Sequence, residues 1–288
     1  MKIFQLAAIT LLLFVVTVSA LVSIEVVPVQ EQFLPDEALT VAVRVTNQSG
    51  QSLRLGEDAE WLKLSVESKD SFIVSKLSDP PVQGGFTLDS SKIAIKRVNL
   101  APCFSLTRPG RYSVTATVRV KDWDKEFTSP PATFDIIQAA TLRELNFGVP
   151  NQTGAAPEVR KYSLQQANYL KQLKLYVRIS DPDDTKIFRV VAIGGMVSFS
   201  QPEPQVDKLS NLHVLWQTGA RAFAYRVVNP DGEIIVSQTY DYAGSRPSLH
   251  IADDGKITVN GGLRRITRED LPPAEATAPL KVVALPQP

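Results

Sequence analysis

Leu106-Thr107-Arg108-Pro109-Gly110-Arg111-Tyr112-Ser113-Val114-Thr115-Ala116-Thr117-Val118-Arg119-Val120 is the stretch that decides the fold class. From Tyr112 onward every second residue is apolar, and the residues between are Ser, Thr or Arg. A strand places successive side chains on opposite faces, so this run has one face for a core and one for water. Pro109-Gly110 ahead of it is turn chemistry: a fixed φ followed by a residue free of Cβ constraints. Outward from this strand the same period recurs. Leu39, Val41, Val43 and Val45 alternate with Thr40, Ala42, Arg44 and Thr46, and Asn47 to Gln51 supplies a turn. Trp61 to Val66, Phe72 to Val74, Phe86 with Leu88, Lys92 to Val98 and Ala132 to Ile137 read as further strands. Pro80-Pro81, Gly84-Gly85 and Pro130-Pro131 break the chain between them, the last pair fitting an edge position.

A Pro-Gly turn that delivers a Tyr to the start of a late strand resembles the tyrosine corner of immunoglobulin-like sandwiches. The family pattern has a Cys two residues after that Tyr, where this chain has Val114, and Trp61 stands as a candidate for the inner Trp. The resemblance implies a disulfide-free β-sandwich over residues 21–138 and selects no function.

Residues 139–172 read differently. Asn146 through Pro157 is rich in Gly, Pro and Asn, and Ser163-Leu164-Gln165-Gln166 has the form of a capping box. Leu164, Ala167 and Leu170 then follow at helical spacing, so a linker with one short helix is expected. Residues 173–266 return to period two, as in Leu173, Leu175, Val177 and Ile179. Asn229-Pro230-Asp231-Gly232 and Asp253-Asp254-Gly255 each put Asp-Gly ahead of an apolar strand, the mark of a hairpin turn. Such hairpins are similar to those of propeller blades, but about two blades are too few to close a ring. A second sandwich, small barrel or meander is expected there. Residues 267–288, with five of the chain's 20 prolines, read as a disordered tail. The expected fold class is therefore all-β, with two modules.

At 288 residues the chain has room for two cores. Lys2 precedes an almost wholly apolar run from Ile3 to Val18, and Val18-Ser19-Ala20 suits a signal peptidase, so residues 1–20 read as a signal peptide. An uncleaved anchor is the alternative, but about 16 residues fall short of the roughly 20 needed to span a bilayer. Lys+Arg number 31 against 30 Asp+Glu, and the one surplus charge is Lys2. A neutral remainder argues against nucleic acid and anionic membrane as partners. The single Cys103 permits no internal disulfide and reads as a small buried hydrophobe. Asn47-Gln48-Ser49 and Asn151-Gln152-Thr153 fit the glycosylation sequon, which occurs often by chance. A bacterial periplasmic or extracellular setting follows from the signal and the lack of disulfides.

Catalytic designs are poorly supplied. The two His residues, His213 and His250, lie within strand patterns and read as half-exposed. No Gly-x-Ser-x-Gly elbow, Walker loop or dinucleotide fingerprint occurs. Zinc ligand spacing is missing, and Asp181-Pro182-Asp183-Asp184-Thr185 reads as a plain turn and not a Ca²⁺ loop. No cofactor is expected. Trp216, Tyr225, Tyr240, Tyr242 and Arg246 are the candidate ligand-binding residues: Phe223 with Tyr225 share one strand face, Tyr240 with Tyr242 another. Rings on a sheet can stack on the C–H faces of sugars, or else form the core of the second module. Arg246, Arg264, Arg265 and Arg268 could dock an acidic glycan or partner. The function expected is that of an exported, non-catalytic binding or scaffolding protein. Carbohydrate binding through the aromatic sheet is the alternative, and a carboxylate-based glycan hydrolase a more distant one.

Overall fold

The structure, a computed structural model, describes residues 22–70, 72–149, 158–266 and 280–285. The signal segment, the Asn151 sequon and Arg268 lie outside the described residues.

The first ten strands are β1 (Val22–Pro28), β2 (Gln32–Phe33), β3 (Thr40–Asn47), β4 (Leu53–Leu55), β5 (Leu62–Ser68), β6 (Phe86–Leu88), β7 (Lys92–Asn99), β8 (Gly110–Val120), β9 (Lys125–Thr128) and β10 (Ala132–Ile136). They form two main sheets packed face to face. One contains β1-β3-β7; the other runs β2-β10-β8-β5, with β9 also on β8 and β2 parallel to β10. β4 and β6 pair separately. The alternation read in β8 holds on its core face, where Tyr112, Val114, Ala116, Val118 and Val120 are all fully buried. On the other face Thr115, Thr117 and Arg119 are half-buried and Ser113, expected in water, is buried. The core-face residues meet Val41, Val43, Val45, Trp61 and Leu64 in one continuous core. The Tyr112 hydroxyl donates to the Arg108 carbonyl at 2.6 Å, closing the turn that launches β8, and its ring stacks on Phe134 at 5.6 Å. Trp61 is buried with its indole N–H on the Val82 carbonyl at 2.9 Å, and Cys103 is buried. Burial of these rings is tolerated because each polar atom keeps a partner.

The second module contains β11 (Ala140–Val149), β12 (Glu158–Tyr169), β13 (Gln172–Ser180), β14 (Ile187–Gly195), β15 (Glu203–Val206), β16 (Leu212–Gln217), β17 (Ala222–Val228), β18 (Ile234–Asp241), β19 (Ser248–Ile251), β20 (Ile257–Asn260) and β21 (Leu263–Arg265). β11-β12-β13-β14 is an antiparallel meander, and β15-β16-β17-β18-β21 is the facing sheet. Tyr162, Leu164, Val177, Ile179, Val214 and Trp216 fill the space between. Gly232 and Gly255 take positive φ in the two expected hairpin turns.

Two expectations are corrected here. The linker helix is the strand β12, and with β11 it belongs to the second module's first sheet. The helical spacing arose from two covered faces of one strand. Leu164 enters the core between the sheets, whereas Ala167 points the other way, to a cluster with Tyr176, Val190 and Leu34 of the first module. Leu170, read as the helix's last apolar position, sits in the tight turn at φ 55. The second correction concerns the tail: Leu280–Ala284 is a strand, β22, antiparallel to β7 in the first module. Its apolar residues pair at the edge of an existing sheet, which a composition reading dominated by Pro and Ala does not reveal. Among the described residues no helix is long and apolar enough to cross a membrane.

Candidate functional site

The outer face of the second module's five-stranded sheet carries the candidate site. Register fixes its membership: His213 faces Val227, Leu215 faces Tyr225, Tyr225 faces Gln238, Phe223 faces Tyr240, and Tyr240 faces Arg264. Paired residues share a face, so all of these side chains stand on one side. The β19–β20 hairpin lies across them, setting Leu249 and Val259 against Leu215, Phe223, Tyr225 and Val227. Between hairpin and sheet a cleft of about 660 Å³ remains, lined among others by His213, Tyr225, Gln238, Tyr240, Lys256 and Arg264.

A chain of hydrogen bonds supports its floor. His213 Nδ1 meets the Tyr225 hydroxyl at 2.6 Å, and His213 Nε2 meets Asp207 Oδ2 at 3.1 Å. Burial pushes the Tyr225 phenol up to about 12, with Tyr240 and Asp207 adding to the rise, so at neutral pH it is a donor. Burial pushes the Asp207 carboxyl up. Opposing hydrogen bonds, each a smaller effect than burial, come from the Asn211 and His213 side chains and from the Asn211 and Leu209 backbone N–H groups. Together they hold it below the usual carboxylate range. An ionised Asp207 accepts from Nε2–H, which leaves Nδ1 to accept from Tyr225; the network assigns this tautomer. Tyr240 donates to Gln238 Oε1 at 2.7 Å beside it.

The sign of the Asp207 effect gives a prediction. Its folded pKa is depressed, so its contribution to stability is present above the unfolded value of about 3.9 and is lost as pH falls through the folded value. Asp207→Asn should flatten the decline in stability below about pH 5. Urea unfolding at a series of pH values reads this directly, and an acid limb identical to that of the wild type would contradict it.

The structure brings Tyr225 and Tyr240 together and sets the other three candidates apart. Trp216, one residue past Leu215, points to the opposite face and is 2% exposed between the sheets. There its indole N–H donates to the Gly195 carbonyl at 2.8 Å, and the Arg226 guanidinium sits 5.8 Å from its ring. It also borders a separate cleft of about 730 Å³ between the two sheets. Tyr242 lies beyond the end of β18 and is exposed, with Arg221 5.6 Å from its ring. Arg246 stands 5.4 Å from the Phe223 ring and borders a third cleft, of about 870 Å³, with Phe199 and Glu203. Of the other arginines, Arg264 lines the Tyr240 cleft, while Arg265 pairs with Asp241 at 3.3 Å.

His213 departs from expectation: it is buried, because both ring nitrogens find partners and desolvation is thereby offset. His250 is exposed. Asp207, His213, Gln238 and Lys256 were missed as site residues. The one available signal was that His213 and Leu215 fall on the Tyr225 face if Thr218–Arg221 is a short turn. Among the described residues no group of three His, Cys, Asp or Glu side chains is placed to hold a metal ion. The acidic run is a closed turn, with Asp181 accepting from the Thr185 and Lys186 backbone and Asp184 accepting from Lys161 at 2.6 Å and Ser180 at 2.7 Å.

No family model matches the chain, and no curated protein matches it. Among solved structures it is similar to the crystal structure of Spo0M, a sporulation control protein from Bacillus subtilis. The match has 8% identity and a TM-score of 0.31, covering 61% of this chain and 91% of that one. A likeness at that score carries no argument about fold or function.

Proposed function

We propose that the chain is an exported, non-catalytic binding protein of the bacterial envelope or exterior, with its ligand seated in the cleft beneath the β19–β20 hairpin. The observation that carries this reading is the cleft itself. Its volume of about 660 Å³ falls in the range of ligand sites, and an apolar wall of Val227, Val236 and Val259 faces a few convergent polar groups. His213 is engaged at both nitrogens and Tyr225 is held neutral, so these groups favour a fixed recognition surface over nucleophilic or base chemistry. Export is supported by Lys2, the Ile3–Val18 run and Val18-Ser19-Ala20.

An immunoglobulin-like reading of the first module is supported by the Tyr112–Arg108 bond and by the division of strands between its two sheets. Modules of that kind carry recognition surfaces in many unrelated proteins, so the function rests on the cleft and not on the architecture.

A sugar ligand is the second reading, favoured by Tyr240, which remains half-buried at the cleft while Tyr225 and Trp216 are covered. Binding of the chain to a glycan array and to immobilised envelope proteins tests both readings. Tyr240→Ala is expected to weaken whichever ligand is retained at least tenfold, and Tyr242→Ala to leave it unchanged. Retention of neither class, or retention indifferent to Tyr240→Ala, would overturn the assignment to this cleft.

A further inference from the structure

We infer that the groove between β11 and β15 is a second ligand site, fitted to a sugar unit that carries a carboxylate or a sulfate. It shares no lining residue with the cleft beneath the hairpin, so the inference stands apart from that one. The groove, of about 870 Å³, lies along the open side of the second module, between edge strands of its two sheets. Arg143 and Leu145 line it from β11, Glu203 from β15 and Gln217 from the end of β16. Phe199 and Arg246 line it from the flanking loops. Arg143 stands where the pattern of β11 calls for an apolar residue. It is in step with Leu145 and Phe147, and its register partner Leu164 is in the core. Paired residues share a face, so this arginine is on the core side of its sheet. A β-bulge between Thr141 and Arg143 precedes it, a device that re-aims a side chain.

Arg54, Arg111 and Arg265 meet carboxylates at 2.8, 2.8 and 3.3 Å. Among the described residues the Arg143 guanidinium has no hydrogen bond and no ion pair. Arg246 has the Ser200 hydroxyl at 3.4 Å and the Phe223 ring at 5.4 Å, and no carboxylate. Two guanidiniums without carboxylates therefore line one groove, and their planar forks match the oxygens of a carboxylate or sulfate. The remaining walls set what bears the anion. Phe199 is 76% exposed, an aromatic face open to the C–H side of a sugar ring. Gln217 spends its amide N–H groups on the Gly219 and Ala220 carbonyls, at 2.9 and 3.2 Å, which leaves Oε1 as an acceptor. Glu203 accepts the Leu249 N–H through Oε2 at 3.3 Å, and its other oxygen is a further acceptor. A bare carboxylate or sulfate ion has no hydrogen to give these acceptors, whereas sugar hydroxyls do. Glu203 also repels an anion, so the charged group belongs at the arginines and the hydroxyls at Glu203.

The test titrates the full chain with tetragalacturonate, a dextran sulfate fragment and neutral maltotetraose by isothermal calorimetry at low salt. At least one acidic probe is expected to bind, and the preferred one tells carboxylate from sulfate. Maltotetraose is expected to bind at least tenfold more weakly. Arg143→Gln should weaken acidic-probe binding at least tenfold and Phe199→Ala at least threefold, while Tyr240→Ala leaves it unchanged. Arg143 and Phe199 are both exposed, so neither substitution threatens the fold. Binding of neither acidic probe would overturn the inference, as would maltotetraose binding as tight as theirs or acidic-probe binding that Arg143→Gln leaves intact. Binding lost in Tyr240→Ala but kept in Arg143→Gln would place the ligand beneath the hairpin, which supports the function proposed above and overturns this groove.

Discussion

Trp216→Ala is expected to destabilise the second module by about 4 kcal/mol, the usual cost of emptying a core of a buried Trp. Three features place it at that level. The side chain is 2% exposed and packs between the two sheets of its module. Its indole N–H satisfies the Gly195 carbonyl at 2.8 Å, an acceptor that alanine leaves without that donor. The neighbouring backbone is also shaped to the ring: Gly194 has φ 146, and a Cβ built there would lie 3.0 Å from the Trp216 ring. A loss of this size lowers the midpoint by roughly 10 °C in a unit of about 150 residues. Differential scanning calorimetry reads it, and a shift below roughly 2 °C would show that the ring is not part of the core. The contrast is with Tyr242→Ala, where the exposed ring predicts a change within about 0.5 kcal/mol.

Trp216 also shows what a sequence can and cannot say about this site. Period two placed Phe223 with Tyr225 on one face, and the structure has them in one cluster. Across strands, faces are related only through register, and register depends on turns that residue type alone did not fix. Trp216 and Tyr225 are therefore close in sequence yet on opposite sides of one sheet. The Asp207–His213–Tyr225 chain was hidden for the same reason, since it joins a loop to two strands. The single-face reading works in β8, where one face is buried and most of the other is partly exposed, and fails in β12, where both faces are buried and Leu164 and Ala167 mimic a helix. β22 was illegible for a third reason: an edge strand of five residues, four of them exposed, leaves little hydrophobic pattern to read.

Asn47 gives the second large expected effect and settles how its sequon behaves in the folded chain. The side chain is fully buried at the end of β3. Its Nδ2 donates to the Gln51 carbonyl at 2.7 Å and to the Leu88 carbonyl at 2.8 Å, while Oδ1 accepts from the Ser49 N–H at 3.0 Å and the Ser49 hydroxyl at 2.7 Å. Both hydrogens of the amide are spent inside the protein. Removing the side chain strands two carbonyls and unties the turn from β6, so Asn47→Ala should cost about 3 kcal/mol. Ser49→Ala destroys the same sequon but keeps both carbonyl bonds, and about 1 kcal/mol is expected. Urea unfolding of the two variants checks this ordering; equal losses would mean that the amide's long-range bond to Leu88 contributes nothing. An attached sugar would replace one of the Nδ2 hydrogens and occupy space that the core already fills. Folded protein secreted from a glycosylating host should therefore carry no glycan at Asn47, and peptide mass mapping that finds one on natively folded material would contradict the bonding described here.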